Sequence, residues 1–293
     1  MTQTQDTTTT RNRERHTAHV IHYNISYILQ GAEHGTDGAI VLLHDLVSGA
    51  FAWRDILPQL ASTKRAVYAI DMLGYGLSDC PWPSDTSIWG HADYLAMLFE
   101  QLNLTNIVLV GHGIGGGVAQ VLATRLSTPR VAALVLVDSI CYEHTFAENW
   151  PLPDMHKNQD PDLPKKMHIE DMINNLRATL PNGVQNTKQF DNVINDYVEP
   201  WNSELGKELL FQHIRLLNPH YCNSVASDLK VLGRPALIIW AEQDQQMPLK
   251  YAHRLNHDIA GSHLVIIPGA GHLVLFDAPD AVAGALTDFV ESL

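Results

Sequence analysis

An acid and an imidazole stand late in the chain, in two loops that follow apolar runs. Asp244 follows "LIIWA" and His272 follows "HLVIIPGAG", with one predicted helix and one predicted strand between them. A carboxylate beside an imidazole fixes its tautomer and raises its basicity, which suits general-base catalysis. We therefore predict that Asp244 and His272 form a hydrogen-bonded catalytic dyad. Taken singly, Asp244 would also suit a helix cap before Pro248, and His272 an ordinary solvated loop.

The stretch "LVGHGIGGGVAQ" (109–120) is typical of a sharp turn from a strand into a helix. The apex of such a turn carries the nucleophile in many hydrolytic enzymes, and here the apex is Gly113. Glycine has no side chain that could attack a substrate, so we predict that the empty volume beside His272 holds a water molecule. "GHGIGG" also matches the G-x-G-x-x-G dinucleotide pattern, with Asp138 downstream. That fingerprint belongs on the first strand of a βαβ unit, and here several strands precede it.

Further groups at predicted strand ends have candidate roles. The backbone N–H groups of Leu46 and Ile114 are predicted to form an oxyanion hole, and His44 is predicted to be structural. Asp138, at the end of "LVLVD", is either a buried structural acid or an alternative acid for His272. Three polar or aromatic residues are predicted to line the substrate pocket: His112, Tyr142 and Trp150.

The elements that would position these residues alternate between strand and helix. Strands are predicted at 19–31, 39–45, 66–72, 106–111, 132–138, 235–242 and 262–270. Helices are predicted at 50–62, 87–103 and 114–127, and again from Pro248 and from Pro279. The strands are apolar on both faces, which indicates an α/β fold with a mostly parallel sheet flanked by helices. In such sheets the carboxyl ends of the strands collect the functional groups.

Composition divides the chain into three parts. Residues 1–18 are polar and threonine-rich and are predicted to be a disordered tail. Residues 19–138 and 231–293 form the predicted α/β core. Between them, 139–230 lacks strand patterns and shows helical periodicity, so we predict a helical cap inserted into the core.

Taken together and in this order, the motifs resemble those of the α/β-hydrolase fold superfamily over residues 19–293. "AIDMLGYGLSD", "WAEQDQQMP" and "PGAGHLVLFDAP" resemble its loops, and the last two give the acid and the histidine. The elbow is most similar to the "GHDxGG" form of the epoxide-hydrolase and haloalkane-dehalogenase branch, in which the nucleophile is an aspartate. Gly113 departs from that form. Ile114 stands where dehalogenases often carry a halide-binding tryptophan, and Asp45 replaces the glycine of the family's "HGxP".

The resemblance implies a hydrolase-like enzyme that acts on an apolar small molecule through the Asp244–His272 dyad. Without a nucleophile, the dyad would activate water or transfer a proton, as in lyases or cofactor-free enzymes of this fold. The alternative is a non-catalytic protein of the same fold that binds a small molecule. Whether Gly113 is native or an engineered replacement, which substrate is used and which oligomeric state forms stay open.

Net charge and cysteine content limit the kinds of partner and the cellular location that the sequence favours. The 293-residue chain has a formal net charge of −13, which disfavours nucleic acid and anionic membrane surfaces as partners. Three cysteines lie far apart, which favours a reducing, cytoplasmic location. No apolar run is long enough to span a membrane, and neither a metal site nor a cofactor is predicted.

Overall fold

An eight-stranded sheet in the order β1-β2-β4-β3-β5-β6-β7-β8 forms the centre of the protein. The computed structural model describes residues 15–126, 130–142, 162–218 and 220–293. The strands are β1 Arg15–Val20, β2 Tyr23–Gln30, β3 Ala39–Leu43, β4 Ala66–Ile70, β5 Ile107–His112, β6 Val131–Val137, β7 Ala236–Ala241 and β8 His263–Ile267. Six neighbouring strands run parallel: β4, β3, β5, β6, β7 and β8. At the other edge β1 pairs antiparallel with β2, and β2 pairs antiparallel with β4. The predicted fold class is confirmed.

The continuous apolar runs follow from burial of both faces of the sheet. Every residue of β3 is buried. Ile40 and Leu42 belong to one hydrophobic cluster, and Val41 and Leu43 belong to the other. Because side chains alternate between the two faces of a strand, a sheet covered on both sides needs apolar residues at every position.

Helices cover both faces. The α-helices in the described residues are α1 Leu57–Leu60, α2 Ile88–Gln101, α3 Ile114–Arg125, α4 Leu163–Lys166, α5 Ile169–Thr179, α6 Thr187–Phe190, α7 Ile194–Val198, α8 Glu204–Leu216, α9 His220–Leu229, α10 Lys250–Asp258, α11 Val274–Asp277 and α12 Pro279–Glu291. Short 3-10 helices lie at Ala32–Asp37, Ala50–Trp53, Leu180–Gly183 and Glu199–Trp201. None of these helices is long and apolar enough to cross a membrane.

The structure differs from the sequence prediction at the N-terminal side. The strand predicted at 19–31 is a hairpin of β1 and β2, which turns at Ile21 with a φ of 56°. β1 begins at Arg15, so the boundary of the predicted tail at residue 18 is wrong. The helix predicted at 50–62 is also divided, because Pro58 stands in the first turn of α1 and has no N–H to continue a preceding helix.

A helical segment separates β6 from β7. In its described residues, from 162 onward, it contains α4 to α9 and no strand, while positions 143–161 lie outside the described residues. The segment packs on the loops at the carboxyl edge of the sheet. Tyr197 meets Phe51 with ring centroids 5.0 Å apart, and Phe190 meets Phe276 at 5.2 Å. These contacts place α6 and α7 beside the strand ends.

Candidate active site

Four loops meet at the carboxyl edge of the sheet. Asp45 follows β3, Gly113 follows β5, Asp244 follows β7 and His272 follows β8. Because these strands are parallel, their carboxyl ends lie on the same edge. Residues far apart in the chain therefore share one site, as the sequence pattern indicates.

Asp244 and His272 are in direct contact. The Nδ1–H of His272 donates to Oδ2 of Asp244 at 2.7 Å, and both side chains are almost fully buried. The other oxygen of Asp244 accepts the backbone N–H groups of Gln246 and Met247 at 2.7 and 2.8 Å. The loop after β7 thus fixes the carboxylate, and the carboxylate fixes the imidazole with Nε2 directed away from it.

The turn between β5 and α3 has the geometry of a strained elbow. Gly113 has φ 53° and ψ −118°, a conformation that glycine adopts far more readily than other residues. The elbow packs closely on the end of β3, since a Cβ at Gly115 would lie 2.6 Å from the carbonyl oxygens of Leu43 and His44. Small residues at this turn therefore bring the loop after β3 up to the elbow.

Asp45 fills the space that Gly113 leaves. A Cβ on Gly113 would lie 1.8 Å from Oδ1 of Asp45 and 2.1 Å from its Cγ. The prediction of a gap for water at this place is wrong, because a carboxylate from a different loop occupies it. Oδ2 of Asp45 accepts the Nε2–H of His272 at 3.2 Å. The imidazole thus lies between two carboxylates.

The backbone N–H of Ile114, one half of the predicted oxyanion hole, already has a partner. It donates to Oδ1 of Asp45 at 2.9 Å, at the N-terminus of α3, where the helix dipole favours an anion. Leu46, the other half, directly follows Asp45 and lines a cavity that opens in front of Asp45. With Asp45 in this position, a substrate carbonyl oxygen cannot take the Ile114 N–H.

The electrostatics of the three groups favour an ionised cluster. Burial alone would lower the pKa of His272, but the charges and hydrogen bonds of Asp244 and Asp45 hold it well above its ordinary value. For Asp45 the directions are reversed. Burial alone would raise the pKa of this carboxyl group, but the hydrogen bond and charge of His272, together with the Ile114 N–H, hold it well below the ordinary range. These opposed shifts favour a protonated His272 beside an ionised Asp45.

Two further histidines support the site from behind. His44 donates from Nδ1 to the backbone oxygen of Asp45 at 2.7 Å, and its Nε2 accepts the N–H of Met72 at 3.1 Å. His112 donates from Nε2 to the backbone oxygen of His272 at 2.9 Å, and burial lowers the pKa of His112 to about 4. Both are neutral groups that hold the backbone of a reactive residue.

Asp138 has a different role from Asp244. Its Oδ1 accepts the backbone N–H of Ala241 at 2.8 Å, and its Oδ2 is buried with no hydrogen-bond partner among the described residues. Burial, with the charge of Asp244, raises the pKa of Asp138 well above the ordinary range. Asp138 is thus a buried acid whose surroundings favour its protonated form, and the partner of His272 is Asp244.

A small cavity of about 20 Å³ opens in front of Asp45 and His272. Its other lining residues are mainly apolar: Leu46, Val47, Ser48, Leu180, Tyr197, Gln246 and Leu273. His112 and Tyr142, which were predicted to line the pocket, are placed elsewhere. His112 lies behind His272, and Tyr142 donates from its hydroxyl to Asp258 at 3.0 Å. Trp150 lies outside the described residues.

Comparison with known proteins agrees with this architecture. The protein-family model described as the α/β hydrolase fold matches residues 38–279 of this chain. The chain belongs to the α/β-hydrolase fold family.

Its relatives in this family include proteins named as hydrolases. An uncharacterized hydrolase, YugF, of Bacillus subtilis is 25% identical over 86% of this chain and 89% of its own. The 2-hydroxy-6-oxo-2,4-heptadienoate hydrolase of Pseudomonas putida is 25% identical over 87% and 90%. Like these relatives, this α/β-hydrolase chain is a hydrolase-like enzyme.

Solved structures show the same fold. An α/β-hydrolase fold protein from Burkholderia ambifaria superposes with a TM-score of 0.82 and 24% identity, covering 93% of this chain and 97% of its own. The haloalkane dehalogenase DbeA from Bradyrhizobium elkani gives a TM-score of 0.81 and 19% identity, covering 95% and 99%.

No group of three or more acidic, histidine or cysteine side chains suited to a metal occurs in the part of the chain described. The dinucleotide interpretation of "GHGIGG" also disagrees with the geometry of this α/β-hydrolase. The helix N-terminus that would receive a phosphate already receives the carboxylate of Asp45. A second anion at that place would be repelled.

Sequence reasoning missed Asp45 as a site residue of this α/β-hydrolase. A signal for Asp45 was present, because one acid is missing at Gly113 while one acid is added at the position of the family's "HGxP" glycine. Only the packing of the β3 loop against the elbow shows that the two changes meet in space. Tyr197 is one of three tyrosines, with Tyr142 and Tyr221, that the resemblance to the epoxide-hydrolase branch suggests as donors from the helical segment, and spacing alone does not single it out.

Proposed function

We propose that this enzyme is a hydrolase for a small, mainly apolar molecule, with His272 as general base and Asp244 as the group that orients it. The single observation that carries the proposal is the line of three side chains at the sheet edge. Asp244, His272 and Asp45 follow one another at 2.7 and 3.2 Å, and the line ends in the cavity. Gly113 contributes the space, and Asp45 contributes the group that faces the substrate.

The chemistry of the cavity supports an apolar substrate. Four of its nine lining residues are leucine or valine, and its two charged groups are Asp45 and His272 of the catalytic line. An apolar wall suits the apolar body of a ligand, and a few polar groups are enough to fix its orientation. The hydrolase names of the relatives from Bacillus subtilis and Pseudomonas putida support the reaction class.

We infer that the helical segment serves as a cap. Leu180 and Tyr197 belong to this segment and stand in the wall of the cavity. They are the groups that would exclude water and select substrates, while the loops of the core supply the reactive groups.

The test is an activity screen of the purified protein on small esters, epoxides and haloalkanes. For the substrate that is turned over, His272→Ala is expected to reduce kcat/KM by about 10²–10⁴-fold, the usual contribution of a general base. His263→Ala is the matched control, since His263 is an exposed histidine at the start of β8. Equal activity of the wild type and His272→Ala on every substrate would contradict the proposal.

One observation favours a second candidate function. The Ile114 N–H is occupied by Asp45, so the site as it stands offers a substrate carbonyl less stabilisation than an open oxyanion hole would. A protein that binds an apolar ligand in this cavity without turnover would have the same geometry. Tight binding by calorimetry, retained in His272→Ala and without turnover of the bound compound, would identify this function.

A further inference from the structure

We infer that Asp45 is the nucleophile of this enzyme, supplied from the loop after β3 in place of an elbow side chain, and that its substrates are alkylating electrophiles. This inference rests on the proposed hydrolase function and extends it to a named attacking group and a substrate class. It follows from the position of the two carboxylate oxygens, the occupied N–H of Ile114 and the cavity in front of them.

The two oxygens of Asp45 have separate environments. Oδ1 is held by the Ile114 N–H at 2.9 Å, at the position where the elbow residue would carry its own side chain. Oδ2 lies 3.2 Å from Nε2 of His272. Asp45 and His272 both line the cavity, and the side chain of Asp45 is the more exposed, at 13% against 4% for His272 and 0% for Asp244.

This arrangement selects the kind of carbon that can react. An ester or amide carbonyl needs a hydrogen-bond donor for the oxyanion that forms on the substrate, and the Ile114 N–H is already bound. Attack on a saturated carbon needs no such donor, because the developing charge goes to the leaving group. An ionised carboxylate suits that displacement, and the low pKa of Asp45 keeps it ionised at neutral pH.

The first step forms the bond between Oδ2 of Asp45 and the substrate carbon and breaks the bond from that carbon to the leaving atom. The leaving atom keeps the electron pair, as a free halide or as the ring-opened oxygen of an epoxide. Tyr197 stands in the wall of the same cavity, and burial raises its pKa to about 12, so its hydroxyl carries a proton for that oxygen. The proton is replaced from water, and the product of this step is an alkyl ester of Asp45.

Formation of the ester changes the state of His272. The charge and hydrogen bond of Asp45 are two of the causes that hold its pKa high, and esterification removes the charge and weakens the hydrogen bond. His272 then releases its proton more readily and becomes a base, while Asp244 continues to orient it. The ionised cluster of the resting enzyme is thus converted into a catalytic dyad by the first step.

The second step hydrolyses the ester. A water molecule gives a proton to Nε2 of His272 and attacks Cγ of Asp45, and the charge develops on Oδ1, which faces the Ile114 N–H. The tetrahedral species then breaks the bond to the alkyl oxygen, which takes the proton from His272. The alcohol leaves, and the carboxylic acid of Asp45 loses its proton to solvent. The product oxygen comes from Asp45, and the water oxygen stays in the carboxylate.

Styrene oxide and 1-bromohexane serve as the two probes, one for each kind of leaving atom. In the His272→Gln variant the first step remains possible while the second is slowed, so intact-mass measurement is expected to show one covalent adduct, on the peptide that contains Asp45. Asp45→Asn is expected to lose the adduct and to reduce turnover on the order of 10⁴-fold or more. Asp55→Asn, at an exposed aspartate, is the control.

Moving the carboxylate gives a sharper version of the test. The double variant Asp45→Gly/Gly113→Asp places the acid on the elbow and is expected to regain at least 10-fold of the activity that Asp45→Gly loses, an order-of-magnitude expectation for a restored nucleophile. Circular dichroism and thermal unfolding establish that both variants fold. Single turnover of the wild type in ¹⁸O-labelled water is expected to place the label in Asp45 and not in the product.

The outcomes separate this inference from the proposed function. Turnover of either probe or of an ester that is unaffected by Asp45→Asn overturns the nucleophile and leaves the hydrolase. Two other results would also overturn Asp45 as the nucleophile and leave the hydrolase function. One is label that enters the product directly in a single turnover, and the other is a covalent adduct on another residue. No turnover of any substrate and no adduct from either probe overturns both proposals. An adduct from only one probe identifies the leaving group and supports the inference.

Discussion

A methyl group on Gly113 is the smallest perturbation that tests the position of Asp45. In Gly113→Ala the added Cβ would lie 1.8 Å from Oδ1 of Asp45, so the carboxylate has to move. The movement breaks the bond to the Ile114 N–H and displaces Oδ2 from His272. Gly261→Ala is a matched control, because Gly261 also has a positive φ, of 75°, and a Cβ there meets nothing within 4 Å.

The expected loss of unfolding free energy follows from the surroundings of Gly113 and Gly261. Alanine at a positive φ costs about 1–2 kcal/mol of unfolding free energy, and both glycines have a positive φ. Gly113→Ala also loses hydrogen bonds to a charged group, worth about 1.5–3 kcal/mol each. Because Asp45 lines the cavity, the displaced carboxylate can turn toward it and recover part of this loss, so we expect an excess over Gly261→Ala of about 2–4 kcal/mol.

The assay is urea unfolding of Gly113→Ala and Gly261→Ala in the wild type and in an Asp45→Ala background. With Asp45 removed, the clash is absent, and Gly113→Ala is expected to cost no more than Gly261→Ala. The double-mutant cycle isolates the contact between residue 113 and Asp45. Equal costs of the two glycine substitutions in the wild type would refute the placement of Asp45 at the elbow.

Three further results are expected from the same groups. First, because the pKa of His272 is raised on folding, the stability that its proton contributes is full below about pH 6.5 and is lost as pH rises. Urea unfolding between pH 6.5 and 8.5 should therefore show a fall with a slope of up to about 1.4 kcal/mol per pH unit, which is reduced in His272→Gln; an unchanged slope contradicts the ionised cluster. Second, Asp138→Asn should change kcat/KM less than about 3-fold, because an amide resembles the protonated acid; a loss comparable with that of Asp244→Asn would contradict this role. Third, Tyr197→Phe should slow turnover of an epoxide by about 10²-fold and that of a haloalkane much less, measured side by side; equal losses would exclude proton donation by Tyr197.

The fold could be predicted because its determinants are local. Apolar runs such as "AIVLL" and "ALIIWA" are buried on both faces of the sheet, and the order of strands and helices leaves few topologies. The contact between Asp244 and His272 was also predictable, since each residue follows a parallel strand and β7 and β8 are neighbours. Their hydrogen bond lies where the loop pattern places it.

The place of Asp45 could not be predicted, because it depends on packing between distant segments. The sequence shows a glycine at 113 and an acid at 45, but the close approach of Gly115 to the end of β3 is a tertiary feature. An empty apex was the simplest expectation for a glycine. A side chain from the neighbouring loop fills it because burial of an open polar gap is less favourable than a carboxylate with two hydrogen-bond donors.

Gly113 and Asp45 therefore depend on each other. Any side chain at 113 would occupy the position of the Asp45 carboxylate, and the N-terminus of α3 has room for one anion beside His272. Two carboxylates at that place would repel each other and would compete for the same N–H and the same imidazole. A chain of this fold can carry the acid on the elbow or on the loop after β3, but the close contact excludes both at once. A glycine at the elbow is thus the steric condition under which an acid from β3 reaches His272, and the missing nucleophile and the additional acid are two parts of one rearrangement.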